Sequence, residues 1–548
     1  MAPMTRRRFL RGALGGAGAL AAAALLGACG GSDPARSAGA PATATSVPSG
    51  ARTTPPAAPA ASPAAEPPVD LVRVAWWTDV GRPTPFQISV SGPGGAALLT
   101  LIYDTLTWKD EYGIIPWLGA SWEASSDGKT YTFRLVDGAT WHDGTPLTAD
   151  DVAFTFAYYA RHPYVWMPTT VVTSATALPD GRVQIGLARP DAAFLEDIAG
   201  NAPIVPRHVW EPVADPIKYT GANATIGSGP YTLAAYDATQ GAYRLLANDH
   251  YWRGRPRVRE WRQVTVPSQS SVPAAQHGDV DIALSADASV QTVLASDARL
   301  RVFATAPLSI VRLVVNTERA PVDRVEVRQA IMYALDRARI AETITHGPAI
   351  VGSAGVIPPE TPWFDPNLKT YPYDPATARQ LLGGKSLSVE LLADPTAREP
   401  DLMAPMLAAV GITLNVRQVD AATRTQLLEE GNFQLALTSH IGVGCDPDYL
   451  RRWYAGEETN SFAQGSIFHD SAYTALGSRE AAELDPATRR QLVFQMQAIL
   501  AEQLPTIVLY YRRFYWVYDP ARLRPMNTWG GLLDGIPFPN NKLIVLGN

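Results

Sequence analysis

The side-chain spacings that could support nucleophilic or phosphate chemistry are incomplete in this sequence. Ser126 and Lys129 have the Ser-x-x-Lys spacing of penicillin-binding enzymes, but Asp127-Gly128 between them is typical of a tight turn. The Gly128-Lys129 pair lacks the first glycine of a phosphate-binding loop, because Glu123 holds that position. No GxSxG or HExxH segment is present. We therefore expect a protein that is not an enzyme, with a catalytic triad assembled from distant residues as the alternative.

Metal and disulfide chemistry have little support in the residue pattern. The chain has two cysteines, Cys29 and Cys445, and no cysteine–histidine cluster has the spacing of a zinc site. Cys445 is expected to be a small apolar residue of the interior rather than a metal ligand. The sequence therefore predicts no metal and no cofactor.

Length and charge limit the classes of protein that remain. A chain of 548 residues exceeds a single hydrophobic core, which predicts two or three lobes. Lysine and arginine number 46 against 52 aspartate and glutamate residues, so there is no general excess of positive charge for nucleic acid. We expect no nucleic-acid partner.

The first 68 residues have the pattern of an export signal followed by a tether. The segment TRRRFLR, from Thr5 to Arg11, matches a twin-arginine export motif, and the apolar run after it is too short for a transmembrane helix. The segment LGAC ends at Cys29 and resembles a bacterial lipobox, so residues 1–28 are expected to be a lipoprotein signal peptide. Diacylation of Cys29 would anchor the chain to the outer face of the cell membrane or the periplasmic side. An uncleaved apolar helix is the alternative. Residues 29–68, rich in Ala, Pro, Ser and Thr, are expected to be a disordered tether.

The most informative stretch, residues 103–156, predicts two strands followed by a helix. Asp127-Gly128 marks a tight hairpin turn, and apolar residues alternate with others from Tyr131 to Leu135, as in a half-buried strand. Thr148 is suited to cap the helix that follows, because its hydroxyl can accept a hydrogen bond from a free amide of the first turn.

This stretch also resembles a known family. Residues 119–156, GASWEASSDGKTYTFRLVDGATWHDGTPLTADDVAFTF, are similar to the signature of the family 5 solute-binding proteins, which are extracytoplasmic receptors of ABC importers for oligopeptides, dipeptides, nickel chelates and related solutes. Later segments with the same resemblance are PRHVW (206–210), GSGPY (227–231), NDHYWRG (248–254) and YDP (373–375). The resemblance implies an α/β, periplasmic-binding-protein-like type II bilobal fold with an additional inserted domain, three domains in all.

The resemblance also implies the division of the chain and its partners. We expect the first lobe to consist of residues 69–107, 226–315 and 506–548, the inserted domain of 108–225, and the second lobe of 316–505. The ligand, a small molecule or a peptide-like solute, would be enclosed between the lobes. The transporter would then recognise the closed, loaded form of the receptor. The implied partners are ABC permease and ATPase subunits, and we expect a monomer.

By the same resemblance, three segments and one aromatic residue are expected at the cleft. The expected ligand-binding residues are Ser91, Gly92, Pro93, Trp166, Ser439, His440, Ile441, Val443, Asp446, Asp448, Tyr510 and Tyr511. Glycine and proline in the first segment suit close approach of the backbone to a ligand, and a tryptophan could form a stacking wall. Each segment could instead be an ordinary surface loop or strand end.

Two positions depart from the peptide-binding pattern of the family. Val443 stands where an aspartate holds the amino terminus of a peptide, and Leu437 where an arginine helps to hold its carboxylate. A buried ammonium group without a carboxylate is costly, so we expect an uncharged or singly charged solute rather than a zwitterionic di- or tripeptide. Modified peptides, opine-like compounds, glycosides and metal chelates all fit. A shifted alignment that makes Asp446 or Asp448 the anchor is the alternative.

The predicted function is therefore that of a receptor that captures a solute and delivers it to a permease. A membrane-anchored sensor without uptake and a secreted hydrolase are the alternatives. An operon with two permeases and two ATPases would distinguish the receptor from the sensor, and a hydrolase would have to show turnover.

Overall fold

The structure, a computed structural model, describes residues 67–88, 94–166, 169–307, 309–347, 350–441, 443, 446–455, 467–526, 528 and 541–546. The predicted signal peptide, Cys29, nearly all of the predicted tether and the segment 91–93 lie outside these residues. Within the described residues, no helix is long and apolar enough to cross a membrane.

The regular elements alternate between strands and helices along most of the chain. The strands are β1 (Val69–Trp76), β2 (Thr107–Lys109), β3 (Ile114–Pro116), β4 (Gly119–Ala124), β5 (Thr130–Leu135), β6 (Val172–Ala177), β7 (Val183–Leu187), β8 (Tyr231–Asp237), β9 (Ala242–Ala247), β10 (Val258–Thr265), β11 (Ile282–Ser285), β12 (Arg301–Ala304), β13 (Ser309–Val315), β14 (Ile350–Val351), β15 (Leu387–Ala393), β16 (Ile412–Gln418), β17 (Leu435–Ile441), β18 (Thr506–Arg512) and β19 (Tyr515–Tyr518). The α-helices are α1 (Gly94–Ile102), α2 (Ala149–Tyr159), α3 (Arg207–Trp210), α4 (Ser268–His277), α5 (Val290–Val293), α6 (Val325–Ala334), α7 (Arg337–Thr345), α8 (Pro375–Leu381), α9 (Glu399–Ala408), α10 (Ala421–Glu429), α11 (Tyr449–Tyr454), α12 (Ser471–Ala482), α13 (Pro486–Gln503) and α14 (Leu543–Leu546). A short π-helix covers Phe194–Ile198 and a 3₁₀ turn covers Ala222–Thr225.

The first lobe is built on a seven-stranded sheet in the order β12-β19-β11-β1-β10-β9-β8. β1 runs parallel to β10 and β11, and Val72, Val74 and Ala75 on it are fully buried. A strand flanked by parallel neighbours is covered on both faces, which explains why LVRVAWW is almost continuously apolar.

The second lobe is built on a six-stranded sheet in the order β14-β18-β13-β17-β15-β16. β13 lies inside this sheet and pairs antiparallel with both β17 and β18. All seven of its side chains are buried. Val327 and Ile331 of α6 pack into the hydrophobic core on one face of the sheet, as their helical spacing predicts.

The expected lobe boundaries differ from the pairing of the strands. The domain division 226–315 and 506–548 places β13 and β18 in the first lobe, whereas the structure pairs them with β17 and β14 of the second sheet. The difference arises because an apolar strand can pair in either sheet, and only its hydrogen-bond partners decide which. The chain therefore crosses between the sheets before β13 and after β18.

The two crossings lie side by side and form the hinge. The backbone N–H of Thr305 donates to the carbonyl oxygen of Phe514 at 2.9 Å, and the N–H of Phe514 donates to Oγ1 of Thr305 at 3.0 Å. Arg513 reinforces the pair by donating to the carbonyl oxygen of Thr305 at 2.9 Å. Two short, adjacent connections of this kind allow the lobes to rotate about one axis.

The inserted domain is a four-stranded antiparallel sheet in the order β4-β5-β7-β6 with α2 against it. The predicted hairpin and helix are both confirmed. Gly128 adopts a φ of +67° in the turn between β4 and β5, a conformation that suits glycine. Thr148 caps α2 in a reciprocal capping box with Asp151.

Candidate ligand-binding site

The described residues hold part of the predicted cleft. Ser91, Gly92 and Pro93 lie outside them, and for Ile441 the structure describes the backbone at the end of β17 but no side chain. Trp166 is 6% exposed and packs in the large core shared by the first lobe and the inserted domain. Burial of that kind is typical of a core residue as much as of a stacking wall.

Tyr510 and Tyr511 lie on β18 with their hydroxyl groups already used. The Tyr510 hydroxyl donates to Oε1 of Glu399 at 2.8 Å, and the Tyr511 hydroxyl donates to the carbonyl oxygen of Val356 at 2.7 Å. Both side chains are buried, and burial raises the pKa of each above its usual value. In this arrangement the two tyrosines connect β18 to neighbouring elements of the second lobe.

His440 lies near the end of β17, and Val443 follows two residues after the strand ends. The His440 ring meets the Trp453 ring edge-on, with centroids 4.9 Å apart. Burial of the ring, followed by the positive charges of Arg312 and Arg452, lowers the pKa of His440 to about 3, so the imidazole is neutral at physiological pH. Val443 is fully buried in an apolar cluster, and the neighbouring Ser439 is exposed.

Arg312 is a buried cation under this histidine. It is 0% exposed, and its guanidinium carbon lies 4.1 Å from the centroid of the Trp453 ring. Its Nη1 donates to the Tyr454 hydroxyl at 3.1 Å. Burial lowers the pKa of Arg312. Thr438 is its register partner on β17, and the two side chains therefore project from the same face of the sheet.

Asp446 and Asp448 are both engaged by arginines of their own lobe. Arg489 donates to both oxygens of Asp446, each at 2.6 Å, and its Nε donates to Glu480 at 2.8 Å. Arg451 donates to both oxygens of Asp448, at 2.6 and 2.8 Å. Bidentate pairs of this kind are strong, and a ligand ammonium group would have to compete with them.

A second arginine of α11 joins the second lobe to the inserted domain. Nη2 of Arg452 lies 3.5 Å from Oδ2 of Asp197, and its Nε lies 3.5 Å from Oδ2 of Asp448. Close by, the backbone N–H of Ala192 donates to the carbonyl oxygen of Ala481 at 2.8 Å. The loop and π-helix from residue 191 to 198 thus form a direct contact between the inserted domain and the second lobe.

Sequence reasoning missed Arg312, Asp197 and Arg452. The sequence does indicate that Arg312 is unusual, because it is the one charged residue in the otherwise apolar run from Ile310 to Val315. Nothing in the sequence indicates the contact between Asp197 and Arg452, since the two residues are 255 positions apart.

The chemistry available at this site is electrostatic and aromatic binding. Among the described residues, no group of three or more His, Cys, Asp or Glu side chains could hold a metal ion. A cavity elsewhere, beside α1, has a volume of about 10 Å³ and is lined by Ala96, Leu99, Thr100, Tyr103, Thr105, Trp108, Tyr164, Gly200, Asn201 and Pro203. That volume accommodates one water molecule and no organic solute.

Curated relatives and solved structures share this architecture. The chain is 26% identical over 437 residues to heme-binding protein A of Haemophilus influenzae, covering 73% of this chain and 79% of that protein. It is 27% identical over 450 residues to the dipeptide-binding protein of Escherichia coli, covering 75% and 82%. The ABC transporter substrate-binding protein CtaP of Listeria monocytogenes superposes with a TM-score of 0.74 at 22% identity, covering 88% of this chain and all of that one.

A dipeptide-binding protein of Pseudoalteromonas in complex with Met-Leu superposes with a TM-score of 0.73 at 21% identity, covering 86% of this chain and 99% of that one. These similarities support the bilobal type II fold with its third domain. Residues 113–462 match the family model described as "Bacterial extracellular solute-binding proteins, family 5 Middle". The chain therefore belongs to family 5 of the bacterial extracellular solute-binding proteins.

Proposed function

We propose that this protein is the solute receptor of an ABC importer. It encloses a small organic or peptide-like solute between its lobes and presents the closed form to the permease and ATPase subunits. The observation that supports this most directly is the paired crossing at Thr305 and Phe514, because two adjacent connections give the lobes one axis of closure. Relatives named dipeptide-binding, di/tripeptide-binding and heme-binding proteins are consistent with the same role.

The role is one of binding and not of catalysis. Capture requires oriented polar groups and apolar walls rather than a nucleophile with an adjacent base. His440, the imidazole at the site, is held neutral beside Trp453 and the cation of Arg312. We infer that it contributes a surface and a dipole to the cleft.

The preferred solute is uncharged or singly charged. Val443 is fully buried where the peptide pattern has an aspartate, while Asp446 and Asp448 already pair with Arg489 and Arg451. An ammonium group would therefore lose its water without gaining a free carboxylate. Modified peptides, opine-like compounds, glycosides and metal chelates all remain within this class.

Export by the twin-arginine route and diacylation of Cys29 complete the proposal. They rest on the segments TRRRFLR and LGAC. Replacing Arg6 and Arg7 by lysine should leave the precursor in the cytoplasm, and Cys29→Ala should abolish palmitate labelling. Membrane delivery and labelling of both variants would contradict this part of the proposal.

A thermal-shift screen of residues 69–548 tests the receptor function. The panel contains peptides, blocked peptides, sugars, opines and nickel–histidine mixtures. A ligand that binds only the folded state increases the free energy of unfolding, by about 2.7 kcal/mol when its concentration is 100 times Kd. The melting temperature rises accordingly as the ligand concentration increases. Co-purification of the full chain with its permease in the presence of the best ligand is the second readout. Turnover of any panel member would instead favour a hydrolase.

A further inference from the structure

Among the described residues of the second lobe, five arginines are buried, and Arg452 and Arg489 form ion pairs with carboxylates. The other three, Arg312, Arg328 and Arg337, differ in their hydrogen-bond partners. Arg328 and Arg337 each donate to three main-chain carbonyl oxygens, as structural arginines commonly do. Arg312 is more deeply buried than either, and its hydrogen bond is to the Tyr454 hydroxyl. Among the described residues, no acceptor reaches its Nε or Nη2, and no carboxylate forms an ion pair with it.

The two atoms without an acceptor form one edge of the guanidinium group. Nε–H and Nη2–H point in the same direction and match the two oxygens of a carboxylate. The same protein uses this edge elsewhere, where Nε and Nη2 of Arg451 donate to the two oxygens of Asp448 at 2.6 and 2.8 Å. Within the part of the chain that the structure describes, the edge of Arg312 that binds carboxylates therefore has no acceptor, while Nη1 donates to the Tyr454 hydroxyl.

A second polar atom without a partner lies on the same face of the sheet. Thr438 pairs in register with Arg312, is 4% exposed, and its Oγ1 has no hydrogen-bond partner among the described residues. Two adjacent buried groups that can both donate to an anion are costly to leave unmatched. On β17, Thr438 is two residues before His440, which is one of the residues expected at the cleft.

We propose that Arg312 and Thr438 form an anion subsite for a carboxylate of the captured solute. Together with the buried Val443, the subsite selects an organic molecule that carries one carboxylate and no ammonium group. This inference rests on the proposed receptor function and narrows its ligand class. The Trp453 ring, which covers the guanidinium at 4.1 Å, is then the stacking wall next to the carboxylate.

The test uses four solutes that differ only in their end groups. They are N-acetyl-Ala-Ala, N-acetyl-Ala-Ala-amide, Ala-Ala and Ala-Ala-amide, measured by thermal shift and calorimetry on the wild type. We expect N-acetyl-Ala-Ala to bind at least 100-fold more tightly than its amide and than the two solutes with free amino groups. Sodium acetate and sodium phosphate at matched ionic strength distinguish a solute carboxylate from a free inorganic anion.

Variants then assign the selectivity to this subsite. In Arg312→Met the preference for N-acetyl-Ala-Ala over its amide should fall from 100-fold to under threefold, while the melting temperature without ligand stays equal or rises, since an unmatched buried charge has been removed. Arg312→Lys should retain part of the preference, and Thr438→Val should lose about tenfold. The control Arg337→Met should lower the melting temperature and keep the preference.

The subsite would be overturned if the wild type bound N-acetyl-Ala-Ala and its amide equally, or bound none of the four solutes. It would also be overturned if both Arg312→Met and Thr438→Val kept the preference for N-acetyl-Ala-Ala over its amide. Stabilisation by phosphate but not by N-acetyl-Ala-Ala would be a third contradictory result. The receptor function is judged separately by co-purification with the permease, so a neutral ligand that supports co-purification would overturn the anion subsite alone.

Discussion

Nη2 of Arg452, in the second lobe, lies 3.5 Å from Oδ2 of Asp197, in the inserted domain, and both side chains are buried. The pair lies in the same contact as the hydrogen bond from the backbone N–H of Ala192 to the carbonyl oxygen of Ala481. We expect the two side chains to separate when the lobes open, since they belong to different bodies. The ion pair would then favour the closed arrangement of the lobes.

The first prediction concerns this pair. Asp197→Asn should weaken closure by about 1.5–3 kcal/mol, the range for hydrogen bonds to charged groups, and so reduce ligand affinity by roughly tenfold or more. Small-angle scattering of the ligand-free variant should show a larger radius of gyration than the wild type. The control is Asp180→Asn, because Asp180 forms an exposed pair with Arg182 in the same domain. Equal affinity and equal radius in Asp197→Asn and Asp180→Asn would show that the pair plays no part in closure.

The second prediction concerns pH. Burial, followed by the negative charge of Asp448, raises the pKa of Asp191 to about 6. Burial also raises the pKa of Glu480 to about 8, outweighing the opposing effect of Arg489, which donates a hydrogen bond to it. The folded protein therefore holds protons that the unfolded chain releases near pH 4. The free energy of unfolding should fall as pH rises from 4 to 8, by at most about 1.4 kcal/mol per unit for each group.

Glu480→Gln isolates one of these groups. The variant should lose most of the slope between pH 6 and 8 in urea unfolding, since the side chain at 480 no longer ionises. Asp448 changes stability with pH in the opposite direction. The effect of burial on this carboxyl is outweighed by the charge of Arg451, and its pKa is lowered to about 2. Its contribution to stability is present above pH 4 and disappears as pH falls through 2. An unchanged slope in Glu480→Gln would contradict the assignment.

The third prediction concerns the attachment of the C-terminal segment. Nζ of Lys542 lies 2.7 Å from Oδ1 of Asp104, both side chains are fully buried, and the ammonium sits 4.1 Å from the Trp108 ring centroid. Lys542→Met should reduce the free energy of unfolding by about 3–5 kcal/mol, because Asp104 is left buried without a cation. Adding Asp104→Asn to it should recover part of the loss. The exposed Lys218→Met is the control, and a loss in Lys542→Met no greater than in that control would refute the account.

The fourth prediction restores the missing carboxylate. Val443→Asp should destabilise the ligand-free protein by about 1–3 kcal/mol, since a polar group is placed in an apolar cluster. The same change should strengthen binding of Ala-Ala by at least roughly tenfold, because an ammonium group now finds a counter-ion. Val443→Asn supplies the polarity without the charge and should show the destabilisation alone. Calorimetry in which the two variants bind Ala-Ala equally would argue that residue 443 does not face the solute.

Local chemistry made the inserted domain predictable. The Asp127-Gly128 turn and the Thr148 cap act within a few residues of their own positions, so the hairpin and α2 follow from the sequence alone. The sheet to which β13 and β18 belong could not be predicted in this way. Both strands are apolar throughout, and their membership is decided by partners far away in the chain.

The same limit applies to the site. His440 and Val443 were predicted because they match positions of a family pattern along the chain, and they lie at and just after the end of β17. Arg312 was visible as a charge in an apolar strand, but the sequence does not show whether an acidic residue meets it. Whether an acidic residue meets Arg312 depends on the packing around α11. This packing places Trp453 and Tyr454 against the guanidinium group, and no carboxylate of the described residues pairs with it.

We propose that the protein is a receptor whose cleft prefers an uncharged or singly charged solute over a zwitterionic peptide. Calorimetric titration of residues 69–548 with one panel of free tripeptides and one panel of end-blocked or naturally uncharged solutes measures this directly. We expect micromolar or tighter binding of at least one member of the second panel. Free tripeptides should bind more weakly by roughly 100-fold, because their ammonium group would be buried without a carboxylate. Micromolar or tighter binding of ordinary tripeptides would contradict the claim and would point to Asp446 or Asp448 as the amino-terminal anchor.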